Sequence, residues 1–423
     1  MILEGETHPA FRPLQQRLER AFRRGAETNA QLCVYVDGEC VVDLWGSASG
    51  EGDASFGPDS LVNIFSSGKS LEAIALASLV SRGRLDYETP VVAYWPEFGA
   101  EGKESVRVCD LMRHEAGLAA FDRSIAPEDL LPENIRLNRV GRIIEGQAQR
   151  FRSNGEVREY HAVTRGWIAN ELFRRVDPAG RTIGEFLREE IAGPLQADVH
   201  IGVQEEDLAR VASVKPLPQG RYLLELLKPP MAERAIEHDA FSLAANVLPL
   251  LGGFKHRSTA DAPPPIEGMT DVRIFNDPVV RRGETPSANA HGSARGLARL
   301  AAAMASEGAL GEHRLMSRAA WRALHAEPVR RPMGMETTFT QGGVAHFGPH
   351  SRDPQRIVRA LNLGRDGFYG WMGLGGSIFQ WHPERRIGFA FVPTSLHVPD
   401  FVNERGKAYQ ALAVDCLARA GAA

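Results

Sequence analysis

The chain has 423 residues, 43% hydrophobic and 24% charged, and carries a net charge of −4 at pH 7. This is the composition of an ordinary globular protein. The mild negative charge gives no reason to expect nucleic acid or an anionic membrane as partner, and no apolar run reaches the length of a membrane span. Length alone suggests two or three domains, or one large core with an insertion.

The opening stretch MILEGETHPA lacks a basic segment followed by an apolar one, so no secretory signal is expected. Residues 9–25 read as an amphipathic helix with an Arg-rich outer face. Residues 31–45 read as a β-hairpin, with Asp37-Gly38 supplying the left-handed turn. Cys33 and Cys40 could face each other across it, but a pair of reduced core thiols is the favoured reading. With only Cys109 and Cys416 besides, there is no disulfide framework and no metal-type spacing, and a cytoplasmic location is expected. From Ser66 to about Arg82 the pattern turns helical and apolar on nearly every side, which predicts a deeply buried helix stopped by Gly83.

Residues 106–290 read mostly as helical segments broken by loops, two of them long and rich in Pro and Gly, at about 214–232 and 252–270. Loops of that kind are usually functional or mobile, and by position these two are expected to shape a substrate pocket. Another helix is expected over 291–306. Strand patterns return near 341–348, 376–382 and 386–393, with His382-Pro383-Glu384-Arg385 as the last turn, and a final helix covers about 401–420. Strands at both ends and helices between predict an α/β (α+β) fold. One antiparallel sheet would be flanked by the terminal helices and carry an inserted, mainly helical domain. The expected division is 1–65 plus 291–423 for the sheet domain and 66–290 for the helical one, with the active site in the cleft between them.

The helix beginning at Ser66 opens with Ser66-Ser67-Gly68-Lys69. Residues i and i+3 share a helix face, so Lys69 can reach the Ser66 hydroxyl. A serine is a poor nucleophile without an adjacent base, and burial can strip a lysine of its proton. The chain's only lysines are Lys69, Lys103, Lys215, Lys228, Lys255 and Lys407, and nearly every other cation is arginine, which cannot serve that way. A helix start at Ser66 would also turn its free N–H toward a developing oxyanion. The plainer alternative is that Ser66 caps the helix and Lys69 is a solvated first-turn residue.

Three further stretches bear on the choice: Tyr160-His161-Ala162, after a Ser153-Asn154-Gly155 turn; the stretch PSANAHGSARGLARL from Pro286; and Gly370-Trp371-Met372-Gly373-Leu374-Gly375-Gly376-Ser377. In this order, and with LMRHEAGL at 111–118, the chain resembles the serine β-lactamase-like superfamily, which includes penicillin-binding proteins. Within it, the chain looks like the class C β-lactamases and family VIII carboxylesterases, over about residues 15–415. The resemblance implies that Ser66 is acylated, that Lys69 helps deprotonate it, and that Tyr160 serves as general base and then as general acid. It also implies an oxyanion hole from the backbone N–H groups of Ser66 and Leu374, where one donor is typically worth about 3–4 kcal/mol. It implies neither cofactor nor metal.

Two departures shape the expected substrate. Where the lactamases end the tyrosine motif in Asn, this chain has Ala162. Where their last motif begins with Lys, it has Trp371. Both changes remove polar handles, so small neutral esters are expected in preference to penicillins. Trp371 reads equally as a core aromatic, and Gly373, Gly375 and Gly376 as a tight turn or as room for substrate. His114, His161 and His291 read as core or loop residues, and His346 and His350 sit around a Gly-Pro break that spoils a metal pair. The absence of GxSxG counts against an α/β-hydrolase. A carboxylesterase on a small-molecule ester is therefore expected. An acyltransferase or a β-lactamase on the same scaffold is the alternative, as is a catalytically silent binding or assembly protein. The oligomeric state is left open.

Overall fold

A computed structural model of the chain describes residues 1–48, 56–150, 158–229, 231–245, 259–349 and 352–421. The Ser153-Asn154-Gly155 turn, His350 and residues 252–258 of the second long loop lie outside the described residues.

Six strands form one antiparallel sheet: β1 (Ile2–Thr7), β2 (Asn29–Val36), β3 (Glu39–Ser47), β4 (Tyr369–Met372), β5 (Ile378–His382) and β6 (Ile387–Pro393). Their order across the sheet is β1-β3-β2-β6-β5-β4, so the first and last parts of the chain meet where β2 pairs with β6. The hairpin of β2 and β3 turns at Asp37 and Gly38, both left-handed. Five helices frame the site: α1 (Arg12–Arg23), α2 (Lys69–Ser81), α3 (Thr164–Val176), α4 (Ala294–Ala305) and α5 (Glu404–Ala420).

Alternation along the strands decides which helix covers which face. Leu32, Val34, Phe389 and Phe391 pack with Leu14, Leu18 and Phe22 of α1 and Tyr409 and Ala413 of α5. Cys33, Ala390 and Val392, one residue out of step, face Leu297, Ala298 and Ala301 of α4 and the larger core around α2. Every residue of α2 from Lys69 to Leu79 is buried, as its all-round apolar pattern requires. Among the described residues no helix is long and apolar enough to cross a membrane.

Several expectations are corrected. The stretch 341–348 is not a strand. The hairpin lies earlier, at Val329–Met333 and Met335–Phe339, and Gly342 and Gly343 form a turn packed against Leu324 and Met112. The loop expected over 214–232 holds a short strand, Lys215–Pro216, and a helix, Gln219–Leu227. β1 escapes a reading of alternation because four of its six residues are exposed. Tyr369–Met372, outside the strands expected from the sequence, is the edge strand β4, paired with β5. Only one thiol of the Cys33–Cys40 pair is in the core. Their sulfurs are 3.8 Å apart, both are free, and Cys40 is exposed.

Candidate active site

Ser66 does not open the α-helix. Phe65–Gly68 is a single 3-10 turn, and α2 begins at Lys69. The turn is entered through Phe65, whose φ of +46° lies in the left-handed region that costs a bulky residue about 1–2 kcal/mol. Asn63 offsets this by accepting the Phe65 N–H at 2.6 Å, and is itself fixed by Asn289 at 3.2 Å. The bend sets Ser66 ahead of α2 with its hydroxyl against Tyr160. Among the described residues neither the Ser66 nor the Leu374 backbone N–H donates to a protein acceptor.

The structure brings Ser66, Lys69 and Tyr160 together. The Ser66 hydroxyl lies 3.3 Å from Lys69 Nζ and 2.8 Å from the Tyr160 hydroxyl. Lys69 is 1% exposed and donates to two backbone carbonyls, Ala162 at 2.6 Å and Ser287 at 3.0 Å. An ammonium has three N–H donors and a neutral amine two. With two committed to carbonyls, the third direction on Nζ faces Ser66, and in the neutral amine it is a lone pair. Burial drives the Lys69 pKa well below the ordinary lysine value. The Glu72 carboxylate opposes this, and the Arg165 guanidinium adds to it.

Burial pushes the Tyr160 phenol the other way, up to about 12, against the pull of its hydrogen bonds with Ser66 and Trp371. Lys69 Nζ sits 4.9 Å from the centre of the Tyr160 ring. A lysine cation at this distance would by itself favour a phenolate. Burial of both groups instead favours the pair in which each is neutral, because separated charges in a dry site cost more than they return.

Trp371 is both of the things the sequence left open. It packs on Phe339 and Phe347 as a core aromatic, and its indole N–H donates to the Tyr160 oxygen at 3.1 Å. Its backbone N–H donates to Ser70 Oγ at 3.1 Å, which ties β4 to the first turn of α2. Gly373 is required by close approach to protein. A Cβ there would lie 2.0 Å from Ser377 Oγ and 2.1 Å from the Ile64 carbonyl. Gly375 and Gly376 have φ of 76° and 131° and complete the turn between β4 and β5.

Ala162 and Trp371 line a cavity of about 950 Å³ that also takes in Tyr160. Its other walls are largely apolar, from Ala119, Phe121 and Trp167, from Met333 and Met335, and from Pro263, Pro264 and Pro265 of the second long loop. Among the described residues, the loop expected at 214–232 contributes nothing to this cavity. His114 and His161 lie beneath Tyr160 as fully buried residues. Each backs the motif by accepting a backbone N–H, His114 from His161 and His161 from Leu118. Burial holds both imidazoles well below their usual pKa, His161 at about 4. Among the described residues no group of three His, Cys, Asp or Glu side chains is placed to hold a metal ion.

A serine whose hydroxyl is shared between a dry lysine and a tyrosine, beside an antiparallel sheet closed by both chain ends, marks the serine hydrolases of the β-lactamase and penicillin-binding-protein fold. The chain belongs to the Beta-lactamase family, whose profile matches residues 15–413. It is 31% identical over 398 residues to the esterase/beta-lactamase LipL of Mycobacterium tuberculosis (strain ATCC 25618 / H37Rv), covering 93% of this chain and 83% of that protein. A penicillin-binding protein homolog from Caulobacter crescentus superposes with a TM-score of 0.75 at 27% identity, over 98% of this chain and 100% of the other. A family VIII carboxylesterase gives a TM-score of 0.75 at 24% identity, over 99% and 100%, a likeness of fold.

Proposed function

We propose that this enzyme is a carboxylesterase for neutral esters with a sizeable apolar group, working through an acyl-enzyme on Ser66. The observation that carries this reading is the Ser66 hydroxyl within hydrogen-bond reach of both Lys69 and Tyr160 at the edge of a large, largely apolar cavity. A cavity of about 950 Å³ exceeds what an acetyl or butyryl group fills, so the emphasis moves from small esters to bulkier ones. The name of the LipL relative joins esterase and β-lactamase. Ala162 and Trp371 give a substrate carboxylate no partner, which favours the esterase half.

The hydrogen-bond directions support Lys69, rather than Tyr160, as the base in acylation. The Tyr160 oxygen accepts the Trp371 N–H and so turns its own O–H toward Ser66 Oγ; once Lys69 is the neutral amine, the serine proton then faces its lone pair, 3.3 Å away. Ser66 Oγ attacks the ester carbonyl as its proton passes to Lys69. The carbonyl oxygen takes up the negative charge and is met by the N–H groups of Ser66 and Leu374. The tetrahedral adduct then breaks its bond to the alcohol oxygen, which leaves with the proton supplied through the Tyr160 hydroxyl. In the second half a water gives its proton to the same pair, attacks the acyl carbon and releases the acid, and Ser66 recovers its proton.

The division of the chain into 1–65 plus 291–423 and 66–290 belongs to the same proposal. It is supported by a sheet drawn from residues 2–47 and 369–393, with Ser66, Lys69 and Tyr160 outside it.

The test is hydrolysis of p-nitrophenyl acetate, butyrate and octanoate by the wild type and by Ser66→Ala, with a chromogenic cephalosporin alongside. The reading expects octanoate to be favoured, slow cephalosporin turnover, and a loss of several orders of magnitude in Ser66→Ala. Equal activity in the two proteins would place the chemistry elsewhere. Cephalosporin turnover matching ester cleavage would make the enzyme a lactamase.

A further inference from the structure

Behind Lys69 lies a buried ion pair that the steps above do not use. Arg165 of α3 donates through Nε to Glu72 Oε2 at 3.0 Å, and both side chains are fully enclosed. Glu72 sits one turn beyond Lys69 on α2, the only acid in a run of otherwise apolar or small residues from Ser70 to Leu79. Its other oxygen accepts the Ser287 hydroxyl, and the Ser287 carbonyl is one of the two that hold Lys69 Nζ. Arg165 closes the circuit from the other side. Its Nη2 donates to the Lys69 carbonyl at 2.9 Å, and its Nη1 to the carbonyls of Met112 at 2.9 Å and Gly343 at 3.1 Å. Nη1 also lies 3.5 Å from His114, whose ring packs 4.9 Å from that of Tyr160.

We propose that Glu72 and Arg165 are positioning residues for Lys69, a balanced pair of charges that fixes the amine through Ser287 and sets how readily it sheds its proton to work on Ser66. The proposal rests on the Ser66 reading above. A buried ion pair is seldom retained for stability, since desolvation cancels most of its attraction and apolar side chains of equal volume do as well. Here each member reaches the base. Glu72 favours the ammonium form of Lys69 and Arg165 disfavours it. The other titratable groups facing Lys69 are Tyr160, His114 and His161, and burial keeps all three neutral near pH 7. Glu72 and Arg165 are therefore the two fixed charges that decide the matter, and they pull in opposite directions.

The experiment is the pH dependence of kcat/KM for p-nitrophenyl octanoate in single, double and conservative variants, with Tm measured beside it. Glu72→Gln leaves the Arg165 cation unbalanced and moves the acid limb to lower pH by about one unit or more. Arg165→Gln leaves the Glu72 anion unbalanced and moves it to higher pH, with activity at a fixed pH on the limb falling about tenfold per unit. The double variant returns the limb toward its wild-type place. Arg165→Lys keeps the charge and leaves the limb unmoved while kcat falls. Where a single variant does not fold, Ser287→Ala serves instead: it frees Glu72 of a donor and moves the limb upward. In Glu72→Gln and Arg165→Gln, limbs that stay in place while Tm and kcat drop, or that move in one direction for both, overturn the proposal. If Ser66→Ala keeps wild-type activity, this proposal falls with the reading it rests on. If Ser66→Ala is inactive and the limbs do not move, this proposal alone falls.

Discussion

Trp371 donates its indole N–H to the phenol oxygen of Tyr160 at 3.1 Å, and so a residue at the apolar wall of the cavity also orients the tyrosine. Trp371→Phe keeps the ring stack on Phe339 and Phe347 and removes this one donor. A neutral hydrogen bond is worth about 1 kcal/mol, so kcat should fall by about fivefold. The loss should appear in kcat more than in KM, measured on the octanoate ester. An unchanged kcat would mean that the indole is wall and nothing more.

Lys69 works in this scheme only after it has lost its proton. Burial lowers its pKa in the folded protein, so the active form is present above that lowered value and is lost as pH falls through it. Tyr160, raised to about 12, leaves the alkaline side flat over the accessible range. The pH profile of kcat/KM should therefore show one rising limb, well below the ordinary lysine range, and no alkaline fall before about pH 11. Lys69→Arg cannot deprotonate and should lose at least about 10³-fold at every pH.

Gly373→Ala tests the wall that carries Leu374. The new Cβ would meet the Ile64 carbonyl at 2.1 Å, two residues before Ser66, and neither backbone can yield without moving the other. Displacing the Leu374 N–H from its place should lower kcat by about 10²-fold or more, on the scale of a lost oxyanion donor. Retained kcat would show that this N–H takes no part.

Ala162→Phe fills part of the cavity beside Tyr160 without touching the carbonyl that holds Lys69. Each buried methylene is worth about 0.8 kcal/mol, so obstructing a few of them costs about one to two powers of ten. The ratio of kcat/KM for octanoate over acetate should fall by that factor while acetate itself changes little. Equal losses on both esters would place the acyl chain elsewhere.

Glu284 gives a stability prediction apart from catalysis. It is buried against Thr182, Asn170 and Gly184, and burial raises its pKa to about 7 in the folded state. The unfolded value lies near 4.3. The folded state thus holds the extra proton between these limits. Its stabilising contribution is complete below the unfolded value and is lost as pH rises through about 7. Glu284→Gln should raise Tm by a few degrees at pH 8 and change little at pH 4.5, read by calorimetry at both. A Tm gain of equal size at both pH values would sink this account.

The legible part of the site was the part written in local spacing. Ser66 and Lys69 are one helical turn apart, and α2 is apolar all round, so both the contact and the burial follow from the residues between 66 and 79. Tyr160 came from its place in an ordered set of motifs, since no local rule brings residue 160 to residue 66. Arg165 and Ser287 were missed because their contacts with Glu72 span more than 90 residues, and Asn63 because Asn289, which fixes it, lies as far along the chain. Glu72 did leave a signal: a lone acid in a helix with no polar face must have a buried partner. The left-handed Phe65 left none, because a bulky residue gives no warning that its neighbours will force it there. In the fold, β1 and β4 were lost at the exposed rim and beside a glycine turn, where alternation is weakest.

The pairing of β2 with β6 joins residues about 350 positions apart. A ribosome therefore releases the opening hairpin, and then the wholly apolar α2, long before their partner strands exist. Closing such a distant contact is slow, and apolar surface waits uncovered meanwhile. Ser66, the proposed nucleophile, is among the early residues made, yet its far wall, from Trp371 to Leu374, is among the last. A chain cut short before residue 393 would lack part or all of the strand that unites the two ends. On the proposed scheme, protection against premature chemistry is built into synthesis: a half-made chain should cut no ester, because half an enclosure would hold neither the substrate nor the charge.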